Sequence, residues 1–111
     1  MKLELTKEYI AAFSNRNLDE LSEMMDPGFV LEDPAVDRLE GRENVLKYLK
    51  EVFESSSRLE FSAKNIFLTD SGESIIEFLL VIDQVVLKGV DIIKWNGTKL
   101  IELRAYLDTP K

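Results

Sequence analysis

The sequence predicts an α+β domain, with helices covering one face of an antiparallel sheet. Two observations carry this. Helical periodicity is confined to the first half of the chain, and four long runs of alternating apolar and polar residues fill the second. The 111 residues contain no internal repeat, low-complexity tract or linker, so residues 1–111 read as one domain. A chain of this length buries roughly 65% of its extended surface on folding, enough for a modest core.

In "LELTKEYIAAF", residues Leu5, Tyr9, Ala12 and Phe13 form one helical stripe. "NRNLDELSEMM" reads as a second, short helix, with Asn17 as N-cap, Asp19 and Glu20 in its first turn, and Asp26-Pro27-Gly28 as its stop. A strand, Phe29 to Asp33, precedes Pro34. "GRENVLKYLKEVF" is a third helix with Val45, Leu46, Leu49, Val52 and Phe53 on its inner side. Its charged residues Glu40, Arg42, Glu43, Lys47, Lys50, Glu51 and Glu54 read as the solvated face. Strands are expected at 59–68, 73–83, 85–95 and 100–107, with turns at "DSGE" and "NGT".

"SIIEFLLVIDQVVL" is apolar on both faces. Ile76, Phe78, Leu80 and Ile82 point one way, and Ile75, Leu79 and Val81 the other. Helices cover only one face of a single sheet, so the second face calls for a second copy of the chain. A homodimer through the sheet is the expectation.

Net charge is −7, and the sequence pI is near 4.6. Nucleic acid needs a basic footprint, and an anionic membrane surface attracts cations; neither is an expected partner. No apolar run approaches the ~20 residues of a membrane span, and the first residues lack a signal-peptide core, so a cytoplasmic location is the expectation. The chain has no His and no Cys. That excludes Ser-His-Asp and Cys-His catalysis, thiolate chemistry, and zinc held by His or Cys. No phosphate loop or calcium-loop spacing occurs, so no cofactor and no metal is expected. Acid–base work near neutral pH falls to Asp, Glu, Tyr or Lys.

Two carboxylates sit oddly. In "FVLEDPAVD", Phe29, Leu31 and Asp33 share one strand face, placing a carboxylate at the end of an apolar wall. In "VLKGVDIIKW", Leu87, Gly89, Asp91, Ile93 and Trp95 share the face that lacks lysines. If that face meets the helices, Asp91 is desolvated and its proton is held more tightly. Tyr9 adds a phenol among apolar neighbours. Together the three groups could abstract a proton next to a carbonyl and stabilise the enolate. Equally, Asp33 caps a strand end or the third helix, Asp91 bonds a backbone amide, and Tyr9 is amphipathic core.

"YIAAFSNRNLDELSEMM", "FVLEDP", "GRENVLKYL" and "GVDIIKWNGTKLIELRAYLD" together resemble the SnoaL-like and ketosteroid-isomerase branch of the NTF2-like superfamily, over nearly the whole chain. The resemblance implies a cone: a curved sheet wrapped with helices around an internal pocket, commonly dimeric through the sheet. In ketosteroid isomerases an oxyanion tyrosine lies in a segment matched by Tyr9-Ile10-Ala11-Ala12. The general base is the Asp of a triplet matched by Glu32-Asp33-Pro34. A second, protonated donor falls on Asp91. Two positions depart: Gly89 stands where the isomerases have Pro, and their supporting tyrosine falls at Leu49, with Tyr48 one place away. Scytalone dehydratases rely on histidines, and limonene epoxide hydrolases want an Arg where Gly89 stands, so neither pattern is met.

The implied activity is an isomerase, or a related cofactor-independent lyase or hydrolase, using Asp33 as base and Tyr9 and Asp91 as oxyanion donors. The alternatives are a pocket that only binds a small apolar molecule, or a dimeric assembly module. Phe13, Phe29, Tyr48, Phe78, Ile93, Trp95 and Leu103 are the expected pocket wall.

Overall fold

The computed structural model describes residues 1–108. Three helices, α1 (Lys2–Ser14), α2 (Leu18–Met24) and α3 (Arg42–Ser55), pack on a six-stranded sheet. The strands are β1 (Met25–Asp33), β2 (Asp37–Glu40), β3 (Leu59–Leu68), β4 (Ser74–Ile82), β5 (Val85–Asn96) and β6 (Lys99–Asp108), in the order β2-β1-β6-β5-β4-β3. The sheet is curved and open, the α+β architecture expected. It is mixed rather than wholly antiparallel, because β1 runs parallel to β6. β1 pairs antiparallel with β2, which follows it after a three-residue turn, and its other edge is filled by the last strand of the chain, β6.

Local sequence explains most element ends. The Asn17 side chain caps α2 by accepting from the Glu20 backbone N–H at 3.1 Å. The apolar stripe of α3 buries Val45, Leu49 and Phe53, while Glu43, Lys47, Lys50, Glu51 and Glu54 stay exposed. Arg42 departs from that solvated face: it is half-buried and donates to the Met25 carbonyl at 3.3 Å. The Asp-Pro-Gly stop belongs to β1, where Asp26 accepts from the Gly28 N–H and the register with β6 shifts between Met25 and Val30. Strand β2 was not anticipated; Asp37-Arg38-Leu39-Glu40 is a short, charged edge with no apolar alternation to mark it.

A buried hydroxyl chain ties α1 to the sheet. The Trp95 indole N–H donates to Ser74 Oγ at 2.9 Å, Ser74 and Thr6 hydroxyls meet at 2.7 Å, and Thr6 Oγ1 donates to the Lys2 carbonyl at 2.6 Å. With one proton per hydroxyl, the bonds all run one way, from Trp95 to Lys2. Thr6 and Ser74 are fully buried. Arg16 performs a similar task at the other end of α1, donating to the carbonyls of Phe53 and Ser56 at 2.7 Å each.

Candidate functional site

The sheet's inner face and the helices leave a cavity of about 480 Å³. Two helices and the first strand wall it: α1 contributes Tyr9 and Phe13, β1 Phe29, Leu31 and Asp33, and α3 Val45, Tyr48 and Leu49. The floor comes from the later strands, through Phe61, Phe78, Asp91 and Leu103 among others. The wall is mostly hydrocarbon, and its rings interlock: Phe13 and Phe61 lie 4.9 Å apart between centroids, Phe61 and Phe78 5.1 Å, and Tyr9 stands edge-on to Phe61 at 6.2 Å. Asp33 sits half-buried at the rim, beside the exposed Pro34 and Ala35.

Tyr9, Asp33 and Asp91, 24 and 58 residues apart in sequence, thus face one space. Asp91 is only 4% exposed. Burial, and then the negative charge of Asp33, push its pKa from 3.8 to about 8, so at neutral pH it is mainly a neutral acid. Burial also raises the Tyr9 phenol well above its ordinary value, with Asp91 and Asp33 adding to the effect. It is a hydrogen-bond donor at any physiological pH. Asp33 Oδ1 accepts from the Ala35 N–H at 2.7 Å, which fixes the carboxylate at the strand end.

The remaining wall residues fall into two groups. Phe13, Phe29, Tyr48, Phe78 and Leu103 line the cavity. Ile93 and Trp95 do not, correcting the expectation for both. Ile93 is sealed in the core, and Trp95 turns its indole to Ser74, further along β5 than the cavity reaches. Alternation assigns a face, not a depth along the strand. Tyr48 and Leu49 both reach the cavity despite being helical neighbours, because α3 presents a broad face to it. The Tyr48 phenol is raised by partial burial and by Asp33.

Sequence reasoning missed Met25, Phe61, Leu107 and several aliphatic wall residues. Phe61 had a signal, since it alternates with Leu59 on the inner face of β3; Met25 had none, lying next to an apparent helix stop. Gly89 has a steric role. A Cβ there would lie 2.7 Å from the Phe78 ring and collide with the Tyr106 carbonyl, so the missing side chain is what lets the ring lie across β5. A wider trough of about 730 Å³ runs outside, between α1 and β3, and none of Tyr9, Asp33 and Asp91 reaches it.

Among the described residues, no group of three or more acidic side chains is placed to hold a metal ion, and no helix is long and apolar enough to cross a membrane.

A family model described as "SnoaL-like domain" matches residues 6–103. No curated protein matches the chain significantly. Solved structures match its fold. Bal32a, from a soil-derived mobile gene cassette, superposes with a TM-score of 0.88 at 14% identity, over 96% of this chain and 88% of its own. A "putative ketosteroid isomerase" from Kribbella flavida gives 0.85 at 14% identity, over 99% and 79%. A "putative SnoaL-like polyketide cyclase" from Jannaschia sp. gives 0.83 at 20% identity, over 96% and 85%.

Proposed function

The chain belongs to the SnoaL-like domain family, and from that premise we propose that its cavity moves a proton next to a carbonyl group of a small apolar molecule. Asp33 is the base. It takes a proton from the carbon beside the carbonyl, and the electron pair of that C–H bond moves onto the carbonyl oxygen through the enolate. Tyr9 and neutral Asp91 each donate a hydrogen bond to that oxygen as it gains charge. Asp33, now protonated, returns the proton at another carbon of the same conjugated system, so the product is an isomer and no cofactor is consumed. The assignment of roles follows the ketosteroid isomerases by position.

The observation that supports this reading is the placing of two hydrogen-bond donors and one carboxylate in a single apolar cavity. In water, a carboxylate and an enolate are both well solvated; inside a dry wall, only groups already aimed at the oxygen stabilise it. The ligand is small because the space is about 480 Å³.

The test is a spectrophotometric screen of conjugated-enone formation from small cyclic β,γ-unsaturated ketones, using wild type and Asp33→Asn. Turnover in wild type, lost by more than about a hundredfold in the variant, supports the assignment. Equal turnover in both removes Asp33 from the reaction.

The outer face of the sheet supports a second element of the proposal, a homodimer. Phe67, Leu79, Val86 and Tyr106 are exposed there, among half-buried Ile75, Val90 and Ile92. Charged pairs rim this face, including Arg38 with Glu32 at 2.6 Å and Arg104 with Glu102 at 3.4 Å. Glu77 and Lys88 stand among these apolar side chains, so the face is mixed, as protein–protein contacts commonly are. Light scattering at low micromolar concentration gives twice the chain mass of 12.7 kDa if this holds, and the single-chain mass if it does not.

A further inference from the structure

Every charge on the cavity wall has the same sign. Asp33 and Asp91 carry its two carboxyl groups, and Tyr9 and Tyr48 its two phenols; no Lys or Arg lines it, and the chain has no His. Hydrocarbon makes up the rest, with the rings of Phe13, Phe29, Phe61 and Phe78. The Asp91 carboxyl is nine-tenths buried, and among the described residues no protein group donates a hydrogen bond to it; burial and a neighbouring charge alone set its behaviour. Its neighbours across the sheet, Ile76 on β4 and Ala105 on β6, offer nothing polar from their side chains. A buried carboxyl aimed into a cavity with no protein partner is costly unless something else satisfies it.

We propose that this cavity binds small organic cations, protonated or quaternary amines, with the charged nitrogen between the Asp91 and Asp33 carboxyls and the hydrocarbon on the phenylalanine rings. The proposal stands apart from the proton-transfer reading and does not need it. A cation leaving water loses its hydration, and here two carboxyl oxygens and several ring faces replace it. An anion of the same size meets carboxyls and no counter-charge. A neutral molecule gains only the apolar burial.

Charge coupling gives the proposal a signature. The groups facing Asp91 are Tyr9 from α1 and Asp33 from β1, with Tyr48 of α3 beside Asp33; none is cationic. Burial, and then the negative charge of Asp33, hold a proton on Asp91 to about pH 8. A bound cation favours the ionised carboxyl and expels that proton. An enolate mimic favours the protonated one. The two ligand classes therefore have opposite pH slopes in one cavity.

The experiment is calorimetric titration of benzyltrimethylammonium, whose charge does not change with pH, into wild type and Asp91→Asn between about pH 6 and 9. The expected result is an affinity that rises about tenfold or more across that range and levels off above about pH 8. Proton release accompanies binding, seen as a heat that depends on the buffer. Asp91→Asn binds at least about tenfold more weakly at the upper pH and loses the rise. Circular dichroism of the variant confirms its fold before the titration. No binding at millimolar concentration, an affinity flat with pH, or equal affinity in the variant overturns the proposal. A naphthol whose affinity falls over the same range, with no cation binding, sinks this inference and leaves the proton-transfer reading intact.

Discussion

Replacing Asp91 by Asn changes how stability depends on pH, and the size of the change follows from burial. The folded protein holds the Asp91 proton to about pH 8, whereas the unfolded chain releases it near 3.8. Between those values the folded state binds more protons than the unfolded one, so this group removes stability as pH rises. At about 1.4 kcal/mol per pH unit, the loss between about pH 4 and pH 8 reaches up to about 6 kcal/mol, and relaxation of the site reduces it to a few. Asn has the same shape and no charge to bury. The difference in urea-unfolding free energy, variant minus wild type, therefore grows in the variant's favour from about pH 5 to pH 8. Trp95 fluorescence follows the transition. Ordinary surface carboxylates titrate in both proteins and cancel in the difference. A difference that is constant with pH would refute the reasoning, because it would mean Asp91 is ionised in the folded state throughout.

Turnover of any enone substrate falls as pH rises through about 8, since Asp91 must be protonated to donate; a pH–rate profile without that limb removes Asp91 from the oxyanion site. Ser74→Ala breaks the buried chain between Trp95 and Thr6 and lowers stability by about 1–3 kcal/mol, a fall of several degrees in thermal midpoint with little effect on ligand affinity. Gly89→Ala drives its Cβ into the Tyr106 carbonyl as well as the Phe78 ring, so β6 must shift along with the ring; the expected result is a loss of about 3 kcal/mol or more in urea unfolding and weaker binding of any ligand that fills the cavity. Leu79→Lys on the outer face shifts light scattering toward the single-chain mass while leaving cavity ligands unaffected.

How much of this was legible in the sequence can be traced residue by residue. The α1 and α3 stripes and the faces of β1 and β5 follow from periods of 3.6 and two, so Tyr9, Asp33 and Asp91 could be placed on inward faces. The parallel pairing of β1 with β6 could not, because it joins segments some 70 residues apart and leaves no local mark. Strand β2 was invisible because an exposed edge of charged residues carries no alternation. Ile93 and Trp95 share Asp91's face but lie where the hydroxyl chain of Thr6 and Ser74 closes the space. Depth within a cavity depends on which helix residue fills each level, and that is set by tertiary packing. The charge imbalance of the wall emerged only once the lining was known, since the lysines and arginines of the chain all fall elsewhere.

The central claim is that Tyr9 and Asp91 form an oxyanion site in an apolar cavity. It is tested most directly by the affinity of a fluorescent naphthol, as an enolate mimic, for wild type, Tyr9→Phe and Asp91→Asn at neutral pH. The account predicts tight binding in wild type, weakened by about tenfold or more in each variant, as expected when one of two charge-assisted hydrogen bonds is lost. Binding that is absent, or indifferent to both substitutions, would contradict it and leave the cavity as plain hydrophobic space.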